Sequence, residues 1–198
     1  MLILASASPR RRELLTQAGF SFQVRPAHIP EAPLKGEDAL TYVTRLAREK
    51  AETVFRELTE TETAADYASL QGETLAVLGA DTTVTLDDHI LEKPVDAADA
   101  ARMLRLLSGR THRVITGVAL VTAEGTEVAA ETTAVRFVEL SEEDIAAYVA
   151  TGEPMDKAGA YAIQGRAARW IPRIEGCYFN VMGLPLALVA SLLKSRGM

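Results

Sequence analysis

Asp81 closes the apolar run "TLAVLGAD" and is followed at once by Thr82 and Thr83. A carboxylate with hydroxyls beside it can hold a divalent metal or take a proton from water. A strand that runs apolar and ends in an acid places that acid at a sheet edge, where α/β proteins form clefts. A turn or cap residue fits the same spacing. Four cations lack an obvious local partner: Arg10 and Arg11 in "SASPRRRELL", Lys50 in "LAREKA" and Lys93 in "LEKP". Arginine forks and the free amides of a helix start together suit phosphate oxygens.

The arginines pose a specific problem. Ser8 and Pro9 are a cap and a first helical residue, so Arg10, Arg11 and Arg12 crowd the electropositive end of a helix. Each cation there opposes the helix dipole by about 0.3–1 kcal/mol. A bound polyphosphate would supply the missing negative charge; the alternative is three arginines facing solvent. Lys50 shares the apolar stripe of its helix, where a lysine can also snorkel outward. A third constellation, "GEPMDKAGAYAIQG" from Gly152 to Gly165, combines glycines that permit close backbone approach with Glu153, Asp156, Lys157 and Gln164. Taken alone it also fits a surface turn.

The elements that must position these groups follow from periodicity. Residues 2 to 6 read as a short buried strand, Pro9 to Ala18 as a helix closed by Gly19, and "FSFQVRP" as a second strand. "HIPEAPLKGED" reads as loop. Leu40, Val43, Leu46, Ala47, Ala51 and Val54 recur at helical spacing and predict a helix from about Asp38 to Leu58. "TETETAADYASLQGE" is polar and predicts a mobile loop, and "TTVTLDDHILEKP" predicts a hairpin turning at Asp87 and Asp88. A helix from about Asp96 to Leu107, two long strands around Gly125, a helix at "SEEDIAAYVAT" with Ser141 and Asp144 as a capping box, and a last helix at "LPLALVASLL" complete the chain. Mixed strands and helices in this order predict an α/β fold.

Composition sets the outer limits. The chain has 198 residues, 48% hydrophobic and 24% charged, with a net charge of −6, which offers no basic surface to follow a nucleic-acid backbone. Cys177 is the only cysteine, so no disulfide forms within the chain. His28, His89 and His112 lack the spacing of a zinc motif and read as surface or packing residues. "MLILAS" lacks the form of a signal peptide, and no run approaches the roughly 18 apolar residues of a membrane span. The expectation is a cytoplasmic protein with no nucleic-acid or membrane partner.

Taken in order, "SASPRRRELL", "LAREKA", "LGADTTV", "LEKP", "SGRTH", "GEPMDKAGAYAIQG" and "GLPL" resemble the Maf-like nucleoside triphosphate pyrophosphatases from Leu4 to about Leu186. The resemblance implies one domain over residues 1–198, with a curved mixed sheet flanked by helices and a cleft between two lobes. Such a fold is similar to that of the inosine triphosphate pyrophosphatases and is often homodimeric. It implies hydrolysis of a nucleoside triphosphate between the α and β phosphates with magnesium or manganese. Asp81 matches the family's proton acceptor and metal-site acid. Arg10, Arg11, Lys50 and Lys93 match the groups that hold the triphosphate, and Glu31 lies where the family often has a functional acid, here a metal ligand.

"DKAGAYAIQG" looks like the branch acting on dTTP and UTP, with Arg10, Thr82 and Gln164 at that branch's specificity positions. A glutamine amide can pair with the imide N–H and a carbonyl of uracil or thymine. Two departures are Ala162, where glycine is common, and Arg12, a third base after the usual pair. The resemblance leaves room for clearance of modified pyrimidine nucleotides and a link to cell-division arrest. The competing readings are a nucleotide-binding regulator of septum formation, which would not need Asp81, and a pyrophosphatase for another base such as 7-methyl-GTP.

Overall fold

A computed structural model describes residues 1–61, 74–87 and 89–198. Most of the tract expected to be a loop, and Asp88 of the expected hairpin turn, lie outside the described residues. In chain order the first elements are β1 (Leu2–Leu4), α1 (Pro9–Gln17), β2 (Gln23–Val24), α2 (Ala39–Thr61), β3 (Ala76–Leu86) and β4 (His89–Leu91). Then come α3 (Ala97–Leu107), β5 (Thr111–Thr122), β6 (Gly125–Arg136), α4 (Glu142–Val149), β7 (Arg173–Glu175), α5 (Tyr178–Val181) and α6 (Leu186–Ser195). Short 3-10 turns at Glu153–Asp156, Ala158–Ala160 and Arg166–Trp170 precede β7.

The strands form one mixed sheet in the order β2-β1-β3-β5-β6-β7, with β4 paired to β3. β1 runs parallel to β2 and β3, whereas β4 and β7 are antiparallel to their neighbours. The expected α/β class is therefore what the chain adopts. By contact density it divides into two compact units, Met1–Asp81 with Thr116–Ala130 and Gly183–Met198, and Thr82–Ile115 with Glu131–Met182.

In the first unit, parallel strands β1 and β2 need a crossover, and α1 supplies it. Ser8 Oγ accepts the Arg11 backbone N–H at 3.5 Å, Pro9 opens the helix, and Leu14 and Leu15 are buried. Asp38 caps α2 by accepting from the N–H groups of Leu40 and Thr41 at 2.9 and 3.0 Å. Val43, Leu46, Ala47, Ala51 and Val54 are wholly buried, while Leu40 stands 49% exposed and drops out of the predicted stripe. The helix continues to Thr61, three residues past Leu58, into the tract expected to be loop.

Two glycines determine how closely α2 lies on the sheet. A Cβ on Gly79 of β3 would sit 2.1 Å from the Ala47 carbonyl oxygen, and one on Gly117 of β5 would sit 2.4 Å from that of Val43. Any side chain at either position would force the helix backbone away.

β3 corrects one expectation directly. The apolar run does not stop at Asp81: the strand continues through "TTVTL" to Leu86, so Asp81 is interior to an 11-residue strand. The residues after the acid alternate and are β-branched, which extends the strand instead of ending it. Strands at residues 2–6 and "FSFQVRP" are shorter than expected, at Leu2–Leu4 and Gln23–Val24.

The second unit packs Leu104, Phe137, Tyr148, Trp170 and neighbouring apolar residues into its own core. Asp96 caps α3 through the Asp99 N–H at 2.8 Å, and Ser141 caps α4 through the Asp144 N–H at 3.1 Å. His112 is a packing residue: it is 1% exposed, its Nε2 lies 2.8 Å from the Tyr161 hydroxyl, and burial holds its pKa down to about 3. Among the described residues no helix is long and apolar enough to cross a membrane.

Gly79→Ala is expected to lower the unfolding free energy by about 1–3 kcal/mol, because the added methyl overpacks against backbone that cannot rotate away. Urea unfolding measures it, and an unchanged midpoint would contradict the close seating of α2.

Candidate active site

Successive residues of a strand face opposite sides, so Asp81 shares the face of Gly79 and points toward α2. Lys50 lies one helical turn beyond Ala47, whose carbonyl rests against Gly79. The consequence is a direct ion pair, Lys50 Nζ to Asp81 Oδ1 at 2.7 Å, with Lys50 and Asp81 only 7% and 8% exposed. The same ammonium lies 2.6 Å from Glu31 Oε1. Lys50 therefore does not snorkel outward; it turns inward and bridges two carboxylates.

Glu31 comes from the loop before α2, and the helix holds that loop in place. Tyr42 donates its hydroxyl to the Glu31 carbonyl at 2.7 Å. Arg45 donates to the Ala32 carbonyl at 3.1 Å and grips both oxygens of Glu37 at 2.7 Å. That fork holds the Glu37 carboxyl below the usual carboxylate range, and Glu37 in turn accepts the Leu34 N–H at 2.9 Å. Tyr42, Arg45 and Lys50 thus fix the loop from one helix.

Arg11 approaches Asp81 from the other direction. It is 9% exposed, so the three arginines do not all face solvent. Its Nε donates to the Gly183 carbonyl at 2.8 Å, and its Nη1 donates to the Ala80 carbonyl at 2.8 Å and to Ser6 Oγ at 3.2 Å. It therefore anchors the residue immediately before Asp81. Burial lowers the Arg11 pKa, which the negative charges of Asp81 and Glu31 oppose and the positive charge of Arg10 reinforces. Arg10 is half-buried and Arg12 exposed.

Burial raises the Asp81 pKa above the ordinary carboxylate value, against the opposing pull of Lys50 and Arg11. A carboxylate whose affinity for a proton is raised in this way is a better base than a solvated one, provided it remains ionised. Asp81, Glu31, Lys50, Arg10 and Arg11 all belong to the first unit, and the structure brings their charges together there.

Thr82, Lys93 and Gln164 belong to the second unit. Thr82 is half-buried and takes the opposite face of β3 from Asp81, so it is not beside the carboxylate as adjacency in sequence implied. Lys93 is exposed between β4 and α3. Gln164 is exposed on a tight turn, with Ala162 and Ile163 buried before it and Ala167 after it. The Gly152–Gly165 segment is thus no simple surface turn. Gly152 and Gly159 take φ of 74° and 69°, and Gly159 packs so closely on Val84 that a Cβ would lie 2.9 Å away. Ala162 keeps a negative φ and is tolerated where glycine is common.

Sequence reasoning missed Ser6, Tyr42, Arg45 and the two seating glycines. A glycine inside an apolar strand, as in "VLGAD" and "VITGVAL", is the signal that marks close backbone approach.

A "dTTP/UTP pyrophosphatase" of Koribacter versatilis (strain Ellin345) is 54% identical over 196 residues, covering 99% of this chain and 94% of its own. Proteins of the same name from Aromatoleum aromaticum and Salmonella typhimurium are each 50% identical, over 99% and 98% of this chain and 95% and 91% of theirs. Among solved structures, the Staphylococcus aureus Ham1 protein aligns over 98% of both chains at 11% identity and a TM-score of 0.39, a level that establishes no shared fold. The family model described as "Maf-like protein" matches residues 1–196. With that match spanning nearly every residue, and relatives of half-identical sequence covered almost end to end, this chain belongs to the Maf family.

Proposed function

We propose that this protein hydrolyses dTTP and UTP between the α and β phosphates, giving the nucleoside monophosphate and pyrophosphate. The observation that carries the reading is the buried Lys50 ammonium held between Asp81 and Glu31, in a chain half-identical to proteins named for that reaction. Asp81 takes a proton from the attacking water as the water oxygen bonds to the α phosphorus. The bond from that phosphorus to the bridging oxygen breaks, and pyrophosphate leaves. By the family resemblance Arg10, Arg11, Lys50 and Lys93 offset the negative charge of the triphosphate, the term that dominates phosphoryl-transfer catalysis. Arg11 also keeps Asp81 in place through its bond to Ala80.

Among the described residues no group of three or more His, Cys, Asp or Glu side chains converges. Asp81 and Glu31 nonetheless suit magnesium or manganese, since magnesium is commonly held by one or two carboxylates together with substrate phosphate oxygens. Bound there, such an ion would neutralise charge on the phosphates. The family resemblance carries a homodimer as part of the same proposal, and the form of the opening "MLILAS" and the lack of a membrane-length apolar run carry a cytoplasmic location.

Base choice rests on Gln164. Its carbonyl can accept the imide N–H of uracil or thymine while its NH2 donates to a ring carbonyl, whereas cytosine presents no N–H at that ring position and an amino group beside it. Thr82 and Arg10 complete the specificity set. Because this edge is shared by uracil and thymine, both nucleotides are substrates.

The test is pyrophosphate release from dTTP, UTP, CTP, dCTP, GTP and 7-methyl-GTP with magnesium or manganese. Release is expected from dTTP and UTP, and Asp81→Asn should lower it by about 10²–10⁴-fold with the fold intact. Gln164→Ala should narrow the preference for dTTP over CTP by about tenfold while sparing hydrolysis. Full activity in Asp81→Asn would overturn its role as base, and turnover of another nucleotide would overturn the base assignment.

A further inference from the structure

Gln164 reaches the surface on a turn whose two flanks end on one pair of side chains. At the near flank, the Ala162 N–H donates to the Tyr148 hydroxyl at 3.1 Å. At the far flank, the Arg166 N–H donates to Glu153 Oε1 at 3.1 Å. The two anchors are joined, because the Tyr148 hydroxyl donates to that same Glu153 oxygen at 2.8 Å. Within the turn the Gly165 N–H bonds the Ala162 carbonyl at 3.1 Å.

The carboxylate is pressed against the turn as well as bonded to it. A Cβ on Gly165 would lie 2.0 Å from Glu153 Oε1, so glycine after Gln164 is the condition for this contact. Tyr148 itself is 1% exposed and meets Trp170 edge to face at 5.2 Å, which fixes the ring that carries the hydroxyl. Burial and the hydrogen bond to Glu153 raise the Tyr148 pKa, so the phenol stays a donor at neutral pH. Among the described residues the Gln164 amide makes no hydrogen bond of its own, so its aim depends on the backbone that carries it.

We propose that Glu153, acting with Tyr148, is a positioning residue for base recognition: it holds the Ala162–Arg166 turn so that the Gln164 amide meets the base from one fixed backbone position. This rests on the reading of Gln164 as the group that reads the base. Glu153 touches no substrate. Its loss lets the turn relax, and the amide then reaches the base from positions that suit cytosine as well as uracil and thymine.

The experiment is the ratio of kcat/KM for dTTP to that for CTP in Glu153→Ala, Glu153→Gln, Tyr148→Phe and Gln164→Ala, alongside amide hydrogen exchange at Ala162 and Arg166. Glu153→Ala should lower the ratio about tenfold and expose both amides, because the Arg166 N–H and the Tyr148 hydroxyl lose their acceptor. Tyr148→Phe should shift the ratio the same way, and Glu153→Gln, which keeps an acceptor oxygen, should restore it. A general loss of folded enzyme would lower turnover of both nucleotides equally and leave the ratio unchanged. That outcome in Glu153→Ala and Tyr148→Phe, with the ratio shifted in Gln164→Ala, overturns this inference alone. An unchanged ratio in Gln164→Ala overturns the reading of Gln164, and this inference with it. Should Glu153→Ala fail to fold, Tyr148→Phe decides, since it removes only a hydroxyl.

Discussion

One ammonium organises the first unit. Lys50 Nζ lies within 2.7 Å of both Glu31 and Asp81, and neither Lys50 nor Asp81 has more than a tenth of its surface in water. Removing charges from water is expensive, and removing one member of a buried pair typically destabilises by about 3–5 kcal/mol. The surrounding structure is what makes the arrangement tolerable. Gly79 and Gly117 bring α2 close enough for Lys50 to reach β3, Arg11 fixes Ala80, and Tyr42 and Arg45 hold the loop that delivers Glu31. A stability-driven design would place apolar side chains here. Keeping ions here makes sense if the site's work is to hold a base ready and meet a polyanion.

The puzzle of three arginines at one helix start resolves unevenly. Arg11 turns inward to backbone carbonyls and to the field of Asp81, Arg12 is exposed, and Arg10 lies between these extremes. Three adjacent residues of one type on a helix point in three directions, about 100° apart, and so meet three different surroundings. The acidic chain as a whole can still take an anionic ligand, because the field that matters is local.

Much of this was legible beforehand. Ser8, Asp96 and Ser141 cap the helices that their positions predict, and the apolar stripe of α2 is buried apart from Leu40. Asp81 was legible as a candidate from type and resemblance, but its setting inside β3 was not. Periodicity ended its strand at the acid because a charged residue interrupts an apolar run, whereas a cross-helix lysine allows the strand to carry it through. Lys50 illustrates the same limit: sequence places it on a helix face, and only the approach of two backbones across Gly79 turns that face into an ion pair. Glu153 was visible as a polar residue in a glycine-rich segment, yet its partners Tyr148, Ala162 and Arg166 converge on it only through tertiary folding.

In the proposed reaction Lys50 and Asp81 act as one unit, the ammonium holding in place the carboxylate that takes the proton. A double-mutant cycle on dTTP hydrolysis measures that coupling, with Asp81→Asn, Lys50→Met and the double variant compared by kcat after each is shown to be folded. Groups that act together lose their joint effect when either is removed, so the double variant should be no slower than Asp81→Asn by more than about threefold. Losses that multiply, with the double variant slower by the product of the two single effects, would show two independent contributions and no shared role for the ion pair.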